Sequence, residues 1–286
     1  MDTIVQTAAL RERLAVCRQQ RIALVPTMGN LHAGHLALVA RAQCVADIVV
    51  VSIFVNPLQF GENEDLAQYP RTLSADQAAL VAAGVDFLFT PGVAELYPRP
   101  LAEQTQVLVP GISEQFCGAS RPGHFAGVAT VVCKLLNIVQ PDIALFGRKD
   151  YQQLHIIRQM VADLALPVQI QSVPTVREPD GLALSSRNQY LSPVERVIAP
   201  RLYQQLQHVA EQVGQVPVSR LTADLAEQLN AAGFRTDYVH LVDADSLGSL
   251  QSGSKRAVIL VAAWLGRTRL IDNVVVSLFP SQSEED

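Results

Sequence analysis

The chain has 286 residues, 49% hydrophobic and 17% charged, which is long and apolar enough for one large or two ordinary domains and excludes a disordered polypeptide. A formal net charge of -5 excludes nucleic-acid binding through a broad basic surface, though not a local basic pocket for a phosphorylated small molecule. The most hydrophobic run, Ala257 to Leu265, is too short to span a bilayer, so no membrane association is expected.

The first residues contain an early acid and no apolar signal core, and Thr7 to Gln20 is expected to be a helix. Ile22 to Val25 is an apolar run of the length of a buried parallel strand, and Pro26 is expected to end it. Gly29 and Asn30 mark a turn, and a helix is expected from Leu31 through Ala46. Its first turn carries His32 and His35, which three-residue spacing places on one side. A helix start offers free backbone N–H groups and a positive dipole end, and Gly34 leaves room for close approach. The pattern suits a phosphate gaining charge in a transition state.

Ile48 to Val55 reads as a second buried strand, stopped at Asn56 and Pro57. The polar stretch that follows is expected to be a loop. Ligands of open parallel sheets bind outside the C-terminal strand ends, where Asn56 and Gln59 fall. Amides that both donate and accept suit a substrate bearing hydroxyl and carboxylate groups. Ser74 to Gly84 is expected to be a helix opened by a Ser74–Gln77 capping box, and Asp86 to Thr90 a third strand. Strand and helix alternate so far, which predicts a doubly wound α/β sheet.

Val107 to Val109 reads as a strand within an irregular Pro- and Gly-rich region. That region ends in Gly118 to Gly127, where Arg121 and His124 among glycines suggest a phosphate-facing loop. A helix, Val128 to Ile138, and a strand, Ile143 to Phe146, come next. Gly147-Arg148-Lys149-Asp150 then opens a helix from Tyr151 to Leu164, repeating the strand, glycine and polar-helix-start order. Lys149 there is a mobile charge able to reach phosphates, and Gln153, one turn in, could face the same crevice.

After a strand at Val168 to Val173, prolines and Gly181 signal a domain boundary near Thr175. The hydroxyls and guanidinium of Ser185-Ser186-Arg187 suit a polyphosphate. Ser192-Pro193-Val194-Glu195 is a helix start with a capping box, and that helix is expected to run to about Val213. A second helix, Leu221 to Ala232, precedes strands at Asp237 to Val242, Ala257 to Leu265 and Arg269 to Ser277, before an acidic end at Glu284 to Asp286. Four cysteines, Cys17, Cys44, Cys117 and Cys133, show no CxxC pairing and read as reduced thiols of a cytoplasmic protein. Neither GxxxxGK[ST] nor GxGxxG is present.

Together these stretches resemble the pantothenate synthetase (pantoate–β-alanine ligase) family over nearly the whole chain. The markers are Pro26-Thr27-Met28-Gly29 with His32-Ala33-Gly34-His35, Phe54-Val55-Asn56-Pro57 with Gln59-Phe60-Gly61, Tyr69-Pro70-Arg71-Thr72, Gly118 to Phe125, Phe146 to Asp150, Gly181 to Asn188, and Lys255 to Leu265. The resemblance implies a Rossmann-like doubly wound parallel sheet of the HIGH-type nucleotidyltransferase superfamily, residues 1–175, holding ATP and pantoate. It implies a smaller C-terminal α+β lid domain, residues 176–286, and a cytoplasmic homodimer. The implied reaction forms pantoyl adenylate and pyrophosphate from ATP and pantoate, with Mg²⁺, and then pantothenate and AMP on attack by β-alanine.

Carried over by motif, Met28, Gly29, Asn30, Leu31, His32, Ala33, Gly34 and His35 would hold ATP, with His35 as proton donor. Gly147, Arg148, Lys149, Asp150 and Val176 would also contact ATP. Gln59 and Gln153 would bind pantoate, Gln59 standing near β-alanine as well, and Leu184, Ser185, Ser186 and Arg187 would close over the phosphates. The expected catalytic set is His32, His35, Lys149, Ser185, Ser186 and Arg187. Arg148, Leu136 and Cys117 depart from residues common in the family at those positions. An adenylyl- or cytidylyltransferase with the same histidine motif is the alternative.

Overall fold

Short runs of branched apolar residues form the strands, and the first of two compact units, Met1–Val176, is built on six of them. The computed structural model describes residues 1–62 and 64–278; the acidic end at Glu284 to Asp286 lies outside them. In chain order the unit contains β1 (Asp2–Ile4), α1 (Thr7–Ala15), β2 (Ile22–Thr27), α2 (Ala33–Val45), β3 (Ile48–Ile53), α3 (Leu73–Ala82) and β4 (Phe87–Phe89). The helical turns α4 (Val93–Leu96) and α5 (Cys117–Ser120) come next, then α6 (His124–Val139), β5 (Ile143–Gly147), α7 (Tyr151–Asp163) and β6 (Gln169–Val173).

The six strands are parallel, in the order β1-β4-β3-β2-β5-β6. From β2 the chain winds outward through β3 and β4. It then returns to place β5 on the other side of β2. The order therefore reverses between β2 and β5, and a crevice at the C-terminal ends of those two strands is where such sheets take ligands. One face is sealed by Leu38, Val39 and Ala42 of α2 and Leu80 of α3 against Ala23, Val25, Val49, Val51, Leu88, Ile143 and Leu145. Each fully buried Val, Leu or Ile among these contributes about 1.5–3 kcal/mol. Helix α6 is apolar on nearly every side and packs against β2, α1 and α7.

Several expectations are corrected. Strand β2 does not stop before Pro26 but runs to Thr27, with Pro26 opposite Ser52 of β3. The Ile22 carbonyl accepts from Asp142 on the β5 side, so alternation turns Leu24 and Pro26 that way too. The β5 ladder ends at Leu24, so the missing N–H of Pro26 leaves no ladder bond unmade. Strand β1, an edge strand on β4, was not anticipated; its three residues are too few to show a pattern. Val107 to Val109 is not a strand, because the Val107 N–H donates to the Thr130 hydroxyl at 2.9 Å instead of to a neighbouring strand. Helix α3 starts at Leu73 with Thr72 before it, so Ser74 lies inside the first turn and makes no capping box.

The second unit runs from Arg177 onward. It contains α8 (Pro193–Ile198), α9 (Arg201–Ala210), α10 (Val218–Ala231), β7 (Arg235–Asp243), β8 (Arg256–Leu265) and β9 (Thr268–Ser277). The strands form an antiparallel sheet with β8 central. Leu202, Leu206, Val209, Leu221, Leu225 and Leu229 pack on its apolar face. The Ser192–Glu195 capping box is present. The long helix expected after it is broken in two at Pro200, which has no N–H to continue the ladder. Among the described residues no helix is long and apolar enough to cross a membrane.

Candidate active site

Two of the stretches singled out above leave adjacent strands at the point where the sheet order reverses. Met28 to His35 follows β2, and Gly147 to Asp150 ends β5 and opens α7. Gly29 (φ +83°) and Asn30 (φ +51°) take left-handed conformations in the first of these. The turn is held by a group the sequence did not reveal. The buried carboxylate of Asp76, in α3, accepts from the N–H groups of Asn30 at 2.9 Å and Leu31 at 2.8 Å, and from the Thr72 hydroxyl at 3.2 Å. Its separation of more than forty residues from the turn hides it from any local pattern.

His32 is the N-cap of α2. Its Nδ1 accepts from the Gly34 N–H at 3.1 Å, and the Nδ1 of His35 accepts from the His32 N–H at 3.3 Å. The rings lie 4.1 Å apart between centroids and are tilted by 36°. The expected row of free N–H groups is therefore corrected: the His32 imidazole takes that of Gly34, and the His32 carbonyl accepts from His35 and Leu36. An Nδ1 that accepts carries no proton, so each neutral ring presents Nε2–H as its donor.

The pair itself carries no positive charge. Burial, then the Lys149 ammonium, lowers the His32 pKa to about 4, with Asp150 opposing. Burial, then His32, then Lys149 lowers that of His35 to about 3. At neutral pH both are hydrogen-bond donors without charge, and Lys149, whose field reaches both, supplies the cation. Arg148 is exposed and its Nε donates to the Ser172 hydroxyl at 3.2 Å.

Asn56 caps and Gln59 ends a 3₁₀ turn (Pro57–Gln59) after β3, and both are buried. The Asn56 amide donates to Gln59 Oε1 and to the Gly127 carbonyl, each at 3.0 Å. Asn56 Oδ1 accepts from the Tyr97 hydroxyl at 2.8 Å, another contact that no local signal marked. Burial raises the Tyr97 pKa, so the phenol stays a donor. Gln59 Nε2 lies 3.1 Å from Met28 Sδ, which brings the amide to the β2 turn. Gln153 lies partly buried in α7; its neighbour Gln152 instead turns inward to bind Cys117, Ile112 and Gln115.

The stretch Gly118 to Gly127 is not a phosphate-facing loop. It is α5 and the start of α6. The Arg121 guanidinium is committed to Glu64, with Nε at 2.6 Å and Nη2 at 2.5 Å from the carboxylate oxygens. Burial alone would raise the Glu64 carboxyl; the hydrogen bond and charge of Arg121, with His124, outweigh it and hold the pKa below the ordinary value.

In the second unit Ser185 Oγ accepts from the Arg187 N–H at 3.3 Å, at the head of a 3₁₀ turn (Ser186–Tyr190). Leu184, Ser185, Ser186 and Arg187 are all partly exposed. The segment before them is pinned by Arg177, which makes two bonds to the buried Asp272 at 2.6 and 2.9 Å, donates to the Gly181 carbonyl and stacks on Tyr203 at 3.4 Å. Val176 is the last residue of the first unit.

A family model described as pantoate-beta-alanine ligase matches residues 2–275. The chain belongs to the pantoate–β-alanine ligase family. It is 56% identical to the pantothenate synthetase of Pseudomonas savastanoi pv. phaseolicola over 96% of this chain and 98% of that one. It is also 56% identical to that of a Pseudomonas putida strain, over 97% and 98%. A crystal structure of pantothenate synthetase from Thermus thermophilus superposes with a TM-score of 0.90 at 49% identity, covering 98% of this chain and all of that one. The ligase from Francisella tularensis, solved in complex with β-γ ATP and β-alanine, superposes with a TM-score of 0.81 at 36% identity, covering 96% and 97%. Membership makes this protein a ligase, with the parallel sheet and small antiparallel sheet of those structures.

Proposed function

We propose that this ligase condenses pantoate with β-alanine at the expense of ATP, through pantoyl adenylate, releasing pyrophosphate and AMP. The observation that carries it is the pairing of neutral His32 and His35 with the Lys149 cation at the β2–β5 reversal. Family membership and the ATP and β-alanine bound by the Francisella relative support it. In this reading the carboxylate of pantoate attacks the α-phosphorus of ATP, and pyrophosphate leaves. Lys149 offsets charge on the phosphates, while the Nε2–H donors of His32 and His35 stabilise oxygens that gain charge as the bonds change. Removing one such preorganised donor or cation costs about 3 kcal/mol, on the order of a hundredfold in rate.

Met28 to His35 and Gly147 to Asp150 line the nucleotide; Val176 and Leu184 to Arg187 are carried over from the family motifs as further ATP contacts. Gln59 and Gln153 hold pantoate, with Gln59 beside β-alanine. Enclosing both partners makes the amine attack intramolecular in effect and shields the adenylate from water. Mg²⁺ comes with the triphosphate and would supply further charge neutralisation. Asp150, a carboxylate whose field reaches His32, suits an ion that keeps most of its waters and takes phosphate oxygens as ligands. A cytoplasmic homodimer accompanies this reading and is tested by sedimentation equilibrium and cell fractionation.

The deciding experiment is incubation with ATP, Mg²⁺, pantoate and β-alanine, followed by mass spectrometry for pantothenate and AMP. AMP release only when the amine is added separates the ligase from a nucleotidyltransferase, which would keep the nucleotide in its product. His35→Ala and Lys149→Ala are expected to fold normally and to lose pantoate-dependent pyrophosphate exchange by about a hundredfold. Wild-type exchange in both variants overturns their assigned roles.

A further inference from the structure

Arg121 and His124 were singled out for phosphate, yet Arg121 is ion-paired and both point their chemistry at one main-chain atom. The Gln59 carbonyl accepts from His124 Nδ1 at 2.8 Å and from Arg121 Nη2 at 3.4 Å. Arg121 Nη1 lies 3.0 Å from His124 Nε2. A guanidinium can only donate, so Nε2 accepts and the ring proton sits on Nδ1, facing Gln59. Glu64 grips the guanidinium from the other side with both oxygens. Carboxylate, guanidinium, imidazole and carbonyl thus form a chain in which each group orients the next.

A second observation points to the same residue. Gly127 lies so close to the 3₁₀ turn that a Cβ there would stand 2.2 Å from the Leu58 carbonyl oxygen and 2.6 Å from the Gln59 nitrogen. Helix α6 therefore presses on the backbone that its first residue, His124, also holds. The Gln59 side chain is aligned by Asn56 and Met28, so backbone and amide are set by different partners.

We propose that Arg121 and His124 are positioning residues that fix the Gln59 backbone, and through it the place from which the Gln59 amide meets pantoate, with Glu64 orienting Arg121. The proposal rests on Gln59 as a pantoate contact. The test is steady-state kinetics of the full-length enzyme with pantoate and ATP varied separately, alongside thermal melting. His124→Ala is expected to raise the KM for pantoate about tenfold, the loss of one well-placed hydrogen bond, with the KM for ATP unchanged. His124→Asn, whose amide nitrogen stands where Nδ1 stood, is expected to restore the pantoate KM to within about threefold of wild type. Arg121→Lys, which keeps the charge opposite Glu64 but not the fork, is expected to raise the pantoate KM as well, and carries the test if His124→Ala does not fold.

An unchanged pantoate KM in His124→Ala or Arg121→Lys overturns the proposal. So does a parallel rise in both KM values with a lower Tm, or failure of His124→Asn to rescue. Gln59→Ala separates the two levels. If it leaves the pantoate KM unchanged, the Gln59 assignment falls and takes this inference with it. If it raises that KM while His124→Ala does not, only the grip is lost.

Discussion

Asp76 shows how much a single buried group decides. Its carboxylate accepts from two N–H groups of the turn that leads into the histidine helix. Asp76→Ala leaves those donors unpaired at a cost of about 1–3 kcal/mol each. The expected outcome is a lower Tm and an ATP KM raised about tenfold or more, read by melting and by kinetics with ATP varied. A variant with wild-type ATP KM would remove Asp76 from the nucleotide site. The histidines give a spectroscopic counterpart. Lys149 depresses both of their pKa values, though less than burial does. Lys149→Met is therefore expected to move the imidazole titrations of His32 and His35 upward but not back to 6.5, as followed by NMR. Unmoved titrations would place Lys149 away from the pair.

At the scale of elements, α6 is the piece on which the site depends. Its apolar residues were legible as a helix from Val128, but its first turn was hidden by Gly123 and the prolines and glycines before it. Gly123 takes a left-handed conformation there and lets the helix begin at His124. Composition alone cannot separate such a helix start from a surface loop, because the same small residues serve both. Gly127→Ala would set a Cβ against the Leu58 carbonyl, which belongs to backbone and cannot swing aside. We expect a loss of about 1–3 kcal/mol in stability with a larger proportional loss of ligase activity, measured on the same preparation. Full activity would mean that the 3₁₀ turn moves freely without harm to the site.

For the whole molecule, the two neutral histidines tie stability to pH. Their folded pKa values, about 4 and about 3, lie below the unfolded 6.5. Between those limits the unfolded chain binds protons that the folded one does not. Their contribution is complete above about pH 6.5 and is lost as pH falls toward 4 and then 3. Tm is thus expected to drop across that window, and less so in a His32→Asn/His35→Asn double variant. Equal slopes in calorimetric scans of the two proteins would contradict the shifts.

The sequence by itself determined the alternating strands and helices, because a buried parallel strand needs an apolar run and a helix end needs its caps. It marked the segments after β2, β3 and β5, because chain reversal at a sheet edge demands glycine, proline and polar residues. It also carried the family resemblance, since the motifs lie intact in order. Tertiary structure alone decided that β2 and β5 are neighbours and that the strand order reverses between them. It alone spent Arg121 on Glu64, set Asp76 beneath the turn, joined Tyr97 to Asn56 and left the histidines uncharged. Hydrogen bonds, ion pairs and desolvation depend on which groups meet in space, and residues tens of positions apart meet only when the sheet has formed.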